Sequence, residues 1–310
     1  MGTAQAVVSA VHSKKSEEEK SVKLGLQIND YSWPGEPAGL GPKLAEIAQI
    51  ADAYGFDRIG VADHVWQSPW LGGPENLELE CYTTLGFLAA HTSRAKITAL
   101  VTCVTFRYPA ILVKLVTTLD VLSGGRVWLG IGAGGYEEEA RGMGIPFPPL
   151  KQRFEMLEET LQICLQMWRG DEQPYHGRHY QLERPLNRPQ SLTRPHPTIL
   201  IGGRGEKTLR LVACYADACN LPPFPDLPQK LETLRQYCET EGRDYDAIEK
   251  TCMFALDVRE DGSKADELIM GLRRVAGMGI QNVIGVVPHL GRITPLEVIG
   301  REVIPAVTDL

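Results

Sequence analysis

From Val22 to Val303, short apolar runs alternate with longer stretches whose apolar positions recur every three or four residues. The short runs read as eight strands: Lys23 to Ile28, Arg58 to Ala62, Ile97 to Val101, Val127 to Ile131, Thr198 to Ile201, Ala218 to Leu221, Thr251 to Val258 and Asn282 to Val287. Between them lie helical patterns. Gly41-Pro42 opens the first, Leu44, Ile47, Ala48 and Ala51 form its buried face, and Gly55 ends it. Others run over Glu80 to His91, Pro109 to about Leu122, Leu150 to Trp168, Lys207 to Tyr215, Pro228 to Glu241, Ser263 to Gly277 and Pro295 to Val303. Pro109 stands at a helix start, where its missing N–H costs nothing. Eight strands alternating with helices predict an α/β fold, a (β/α)8 TIM barrel with insertions. Residues 170–196, rich in Pro, Arg, His and Gly, break the alternation and read as an insertion covering another part of the molecule. Residues 12–21 are a polar charge run. The expected organisation is a flexible tail over 1–21 and one barrel domain over 22–310.

Composition narrows the classes. A chain of 310 residues, 43% apolar, holds one large barrel core. The net charge of −7 argues against a general nucleic-acid role, which needs a basic face. No apolar run reaches the length of a membrane span, and the N-terminus lacks the basic start of a signal peptide. Seven scattered cysteines with no Cys-x-x-Cys pair fit reduced thiols, and so a cytoplasmic protein.

In a barrel of this kind, chemistry sits at the carboxyl ends of the strands. Asp63-His64 ends the second strand. The pair reads either as a carboxylate and imidazole that hold a ligand and move a proton, or as a polar cap on a strand-to-loop turn. Trp66 and Trp70 follow in the same loop, as stacking groups or as loop packing. Gly130-Ile131-Gly132-Ala133-Gly134-Gly135 matches the dinucleotide fingerprint literally. Three strand–helix units precede it, however, and the acidic residue expected about 20 positions on is missing. A close-approach glycine loop suits it better than a Rossmann turn. Ile201-Gly202-Gly203-Arg204-Gly205 leads into a helix whose bare N–H groups, with Arg204 and Lys207, would suit a phosphate. The bland alternative is a glycine turn with solvated basic residues. His176-x-x-His179 has no further ligand at metal spacing, so no metal is expected.

Four segments together resemble the bacterial luciferase-like monooxygenase family, and within it the branch that uses the deazaflavin coenzyme F420. They are Gly60-Val61-Ala62-Asp63-His64, Val101 to Pro109, Leu119 to Arg126 with Leu129 to Gly134, and Ile199 to Gly203 with Asp217-Ala218. The resemblance spans roughly Leu24 to Val303. It implies an insertion-bearing barrel, often a homodimer, with a deazaflavin ring at the strand ends. Asp63 would contact the ring, and His64 would be the acid/base candidate beside it. A non-proline cis peptide near Leu100-Val101 would lie behind the ring, with Thr102 next to it. The backbone of Gly132, Ala133 and Gly134, with Ile201, Gly202, Gly203 and Arg204, would hold the phosphate end. One departure stands out. Sugar-phosphate dehydrogenases of this branch carry glutamate directly after the glycine loop; here that position is Gly135, and Glu137 to Glu139 are displaced from it. The resemblance therefore implies an F420-dependent oxidoreductase passing hydride to or from a small organic molecule, not necessarily a sugar phosphate. An FMN-dependent monooxygenase and a non-catalytic flavin-binding barrel are the competing readings. Loops 29–41, 64–79 and 170–196 would line the mouth, and their Trp, Pro and Tyr content points to an apolar or ring-bearing substrate.

Overall fold

The computed structural model describes residues 21–35, 37–223 and 225–308. All but the last residue of the expected tail lies outside them. The strands are β1 (Lys23–Ile28), β2 (Arg58–Val61), β3 (Lys96–Ala99), β4 (Thr102–Cys103), β5 (Val127–Gly132), β6 (Tyr175–His176), β7 (Gln181–Leu182), β8 (Thr198–Gly202), β9 (Ala218–Leu221), β10 (Glu249–Ala255) and β11 (Asn282–Val286). All but β6 and β7 lie in one parallel sheet, which closes where β3 pairs with β5 through Ile97–Val127 and Thr98–Trp128. With β4 continuing β3, the result is the eight-membered barrel that the alternation predicts.

The helices are α1 (Leu40–Ala53), α2 (Cys81–Ala90), α3 (Pro109–Ser123), α4 (Glu137–Gly142), α5 (Leu150–Trp168), α6 (Glu206–Tyr215), α7 (Leu227–Glu241), α8 (Ala265–Gly277) and α9 (Thr294–Val298). They face the strands through an apolar shell that includes Leu26, Ile59, Ile97, Leu129, Ile199 and Val283. The helix stops follow the sequence: Gly124 closes α3 at φ +70°, a left-handed conformation that favours glycine. Among the described residues no helix is long and apolar enough to cross a membrane.

Strand side chains alternate between the two faces of the wall. The inward set plugs the barrel with Leu100, Trp128, Leu200, Ala218 and Ile284. Below this plug, the fully buried Arg58 stacks on Trp128 at 3.9 Å and ion-pairs with Asp57 at 2.8 Å and Glu249 at 2.6 Å. Above it the inward positions become small. Gly132 and Gly202 face Val101 so closely that a Cβ on either would stand 2.9 Å from its methyls. The barrel is therefore filled at one end and open at the end where the strands finish.

Four details depart from the periodicity. The third strand stops at Ala99, has a cis peptide at Leu100–Val101, and resumes as β4 against Ile131 and Gly132. The six-residue α4 is too short and too acidic to show an apolar stripe. The seventh barrel strand runs Glu249–Ala255, two residues earlier at its start and three at its end than expected. The last helix continues past Val303 through a π-helical turn over Ile299–Val303 to Thr308. Pro305 lacks the N–H that would bond to Arg301, which suits a widened turn before it.

The insertion forms the antiparallel β6–β7 hairpin and an extended stretch against the outside of α3 and α5. Glu159 of α5 accepts the backbone N–H groups of Arg178, His179 and Tyr180, and Asp120 of α3 accepts those of Leu192 and Thr193. His176 and His179 are held in the same region: His179 pairs with Glu155 at 3.0 Å and His176 meets Gln181 at 3.0 Å.

Candidate active site

A cavity of about 920 Å³ opens at the carboxyl ends of the barrel strands. Val101, Met253, Asn220, Gly132 and Gly202 form its floor, and Asp63, His64 and Glu139 lie along one side. Phe106, Leu150, Phe154 and the 92% exposed Trp70 add apolar surface. No described residue of 29–41 or 170–196 lines it, so of the three loops expected at the mouth only 64–79 is there. The insertion covers helices instead, because its carboxylate anchors sit on their outer faces.

Asp63 is almost fully buried. Its Oδ2 accepts the backbone N–H of Cys103 at 3.0 Å and the Arg107 guanidinium at 2.7 Å. Arg107 is shared with Glu80, which caps α2 through the N–H of Thr83, and it lies over the Tyr82 ring at 4.6 Å. Burial pushes the Asp63 carboxyl above the usual carboxylate range, despite the opposing pull of Arg107. Its Oδ1 is buried with no partner among the described residues. A buried acceptor of this kind calls for a donor, and the cavity is where a ligand could supply one.

His64 Nδ1 meets Glu139 Oε2 at 2.8 Å, while Glu139 Oε1 accepts the backbone N–H groups of Val65 at 2.6 Å and Trp66 at 3.0 Å. Burial alone would lower the imidazole pKa; the hydrogen bond and charge of Glu139, with the nearby Glu78 and Asp63, outweigh it and raise the value. Glu139 is thus part of the site although it is displaced in sequence from the position after the glycine loop. Tyr136 sets its ring edge-on to His64, with centroids 6.0 Å apart.

Glu78 borders the same group. Burial pushes its carboxyl up to about 8, and its Oε1 has no partner among the described residues. A carboxyl whose folded value exceeds its unfolded value costs stability as pH rises from the unfolded toward the folded value. Glu78→Gln should therefore stabilise the fold by about 1–2 kcal/mol at pH 9 and by less at pH 5. Urea unfolding at the two values measures this; an equal gain at both would refute the assignment.

The glycine side of the cavity supplies backbone. Gly134, at φ +75°, passes so close to Cys103 that a Cβ would meet its Sγ at 2.3 Å. Gly203, Gly205 and Thr208 bring the start of α6 to the cavity. Of the residues singled out in the sequence, Asp63, His64, Leu100, Val101, Gly132, Ala133, Gly134, Gly202 and Gly203 line this space. Thr102, Ile201 and Arg204 do not. Thr102 bonds Tyr82 behind the wall at 2.8 Å, Ile201 faces the helical shell, and Arg204 approaches Asp226 at 3.7 Å. Sequence reasoning passed over Arg107, Glu78, Tyr136, Thr208, Asn220 and Met253. Arg107 lies inside a segment that carries the family resemblance; the others have no motif.

The chain is 30% identical over 253 residues to the F420-dependent glucose-6-phosphate dehydrogenase of Kineococcus radiotolerans, a match covering 79% of this chain and 71% of that one. Among solved structures, an F420-dependent secondary alcohol dehydrogenase in complex with an F420–acetone adduct superposes with a TM-score of 0.75 at 19% identity, covering 93% of this chain and 99% of that one. A riboflavin lyase with modified FMN and riboflavin superposes with a TM-score of 0.77 at 14% identity, covering 94% and 92%. These two likenesses concern the fold. The family model for luciferase-like monooxygenases matches residues 33–296, and the chain belongs to that family.

Proposed function

We propose that this protein is an F420-dependent oxidoreductase that passes hydride between the deazaflavin and a small, uncharged organic molecule. The observation that carries the reading is the unpartnered, buried Oδ1 of Asp63 at the edge of a glycine-lined cavity. The residues present fit a planar ring with a phosphorylated tail. Asp63 offers the ring an acceptor, Gly132 and Gly202 leave room above Val101, and the start of α6 with Thr208 offers N–H and O–H donors to an anion. Relatives named for this coenzyme support the choice of cofactor.

When bound, the deazaflavin supplies a two-electron hydride acceptor or donor. The chain's own part is proton management and desolvation. In the oxidative direction an alcohol loses hydride from carbon and a proton from oxygen; His64 Nε2 takes that proton. In the reductive direction the imidazolium returns it. Phe106, Phe154, Leu150 and Met253 keep water from the reacting atoms. The ionisable side chains among the described lining residues are Asp63, Cys103, Tyr136, His64 and Glu139, with no Lys or Arg. Apart from the His64 imidazolium, no cationic side chain among the described residues lines the cavity to meet an anionic sugar phosphate, which favours a neutral substrate.

The exposed Tyr108, Ile111 and Leu122 at the start and along the outside of α3 support a homodimer as part of the same proposal, and the scattered thiols support a cytoplasmic setting. Fluorescence titration of the purified protein with F420, and in parallel with FMN, tests the cofactor. Tight binding of F420 alone is expected. Tight binding of FMN alone, with oxygen uptake, would move the protein to the monooxygenase reading.

A further inference from the structure

We propose that Glu139 is the positioning residue that fixes the tautomer of His64 and turns a bare Nε2 toward the reacting atoms. This rests on the proton role given to His64 above. The carboxylate is 1% exposed, so it is held in place rather than solvated. Its two oxygens have separate tasks. Oε1 receives two backbone N–H groups, from Val65 and Trp66, and so fixes the loop that follows His64. Oε2 receives only the imidazole, at 2.8 Å. A carboxylate oxygen cannot donate, so the proton between them belongs to Nδ1 of the neutral ring. Nε2 is then the lone-pair nitrogen, and it has no hydrogen-bond partner among the described residues.

The surrounding packing keeps this geometry. Trp66 lies against Gly142 at the far end of α4, where a Cβ would stand 2.0 Å from its ring. The loop after β2 and the helix after the glycine turn are therefore joined twice, by the carboxylate and by the indole. The charged and titratable groups facing His64 are Glu139 on α4, Glu78 before α2, Asp63 at the end of β2 and the Tyr136 phenol. Asp63 is already engaged by Arg107. Of these groups, only Glu139 hydrogen-bonds the ring.

The division of labour between the two oxygens makes Glu139→Gln informative. The amide oxygen still accepts from Val65 and Trp66, so the loop stays in place. The amide nitrogen now faces Nδ1 with a donor, and the neutral ring must carry its proton on Nε2 instead. Heteronuclear NMR of the full chain without cofactor reads the tautomer directly, with the His64 signal assigned by its loss in His64→Gln. The wild type is expected to show the Nδ1–H form. Glu139→Gln is expected to show the Nε2–H form and a lower titration midpoint, at an unchanged melting temperature. Turnover should fall by about 10²-fold or more while the F420 dissociation constant stays the same. Glu139→Asp keeps an acceptor and should retain the wild-type tautomer; it decides the matter if the Gln variant does not fold. A wild-type tautomer and midpoint in Glu139→Gln, or the Nε2–H form in the wild type, would overturn the proposal. Because the spectra need no cofactor, this failure is distinct from an error in the choice of F420.

Discussion

Replacing His64 with alanine is expected to lower turnover by about 10²–10⁴-fold while leaving cofactor affinity nearly unchanged. Positioned acid–base groups contribute on that scale, and His64 is the cavity-lining imidazole beside a buried carboxylate. The effect should be strongly pH-dependent. Oxidation needs the neutral ring as a base. Glu139, Glu78 and Asp63 together raise the imidazole above its ordinary value of about 6.5. Wild-type oxidation should therefore fall as pH drops through that raised value, and the reverse reaction should gain relative to it. The Ala variant should show no such limb. A wild-type rate in His64→Ala, or the same limb in both proteins, would remove His64 from proton transfer.

The barrel was legible because each level of the sequence agreed on it. Strands such as β1 and β9 begin and end where their apolar runs do, and α5 spans the predicted Leu150 to Trp168. The glycine loops and Asp63-His64 were legible as strand ends. What remained hidden has physical causes. Glu139 lies 75 positions from His64 and Arg107 lies 44 from Asp63, and no local periodicity encodes such pairings. The sides of the wall were partly readable. If Gly202 faces the cavity, Ile201 must face the helices, since neighbouring strand residues point opposite ways. The same rule sets Thr102 apart from its cavity-lining neighbours Val101 and Cys103. The insertion held no apolar period at all. Its placement depends on carboxylates of α3 and α5 that its own sequence does not reveal.

Arg107→Met should cost about 3–5 kcal/mol of stability and weaken cofactor binding as well. The guanidinium supports a carboxylate that has little other support: the remaining hydrogen bond to Asp63 comes from the Cys103 amide. It also reaches Glu80 at 2.5 Å and so ties the end of β2 to the start of α2. Methionine keeps much of the volume over the Tyr82 ring, so the loss isolates charge from packing. Burial already holds the Asp63 carboxyl above its unfolded value, and losing Arg107 raises it further. The sign follows from proton linkage. A group with a raised folded value costs stability as pH climbs past its unfolded value, and a larger rise costs more over a wider range. The deficit of the variant should thus be largest near neutrality, shrink as pH falls through the raised folded values of Asp63, and be gone by about 4, where the folded carboxyl is protonated in both proteins. Urea unfolding across that range measures it. A deficit independent of pH would mean that Arg107 acts through packing alone, since Glu80, whose carboxyl Arg107 helps to hold low, would also leave a pH-dependent loss. The deficit expected here ties the fold to the proposed site, because the carboxylate that Arg107 supports belongs to a cavity-lining residue whose second oxygen is buried with no partner among the described residues.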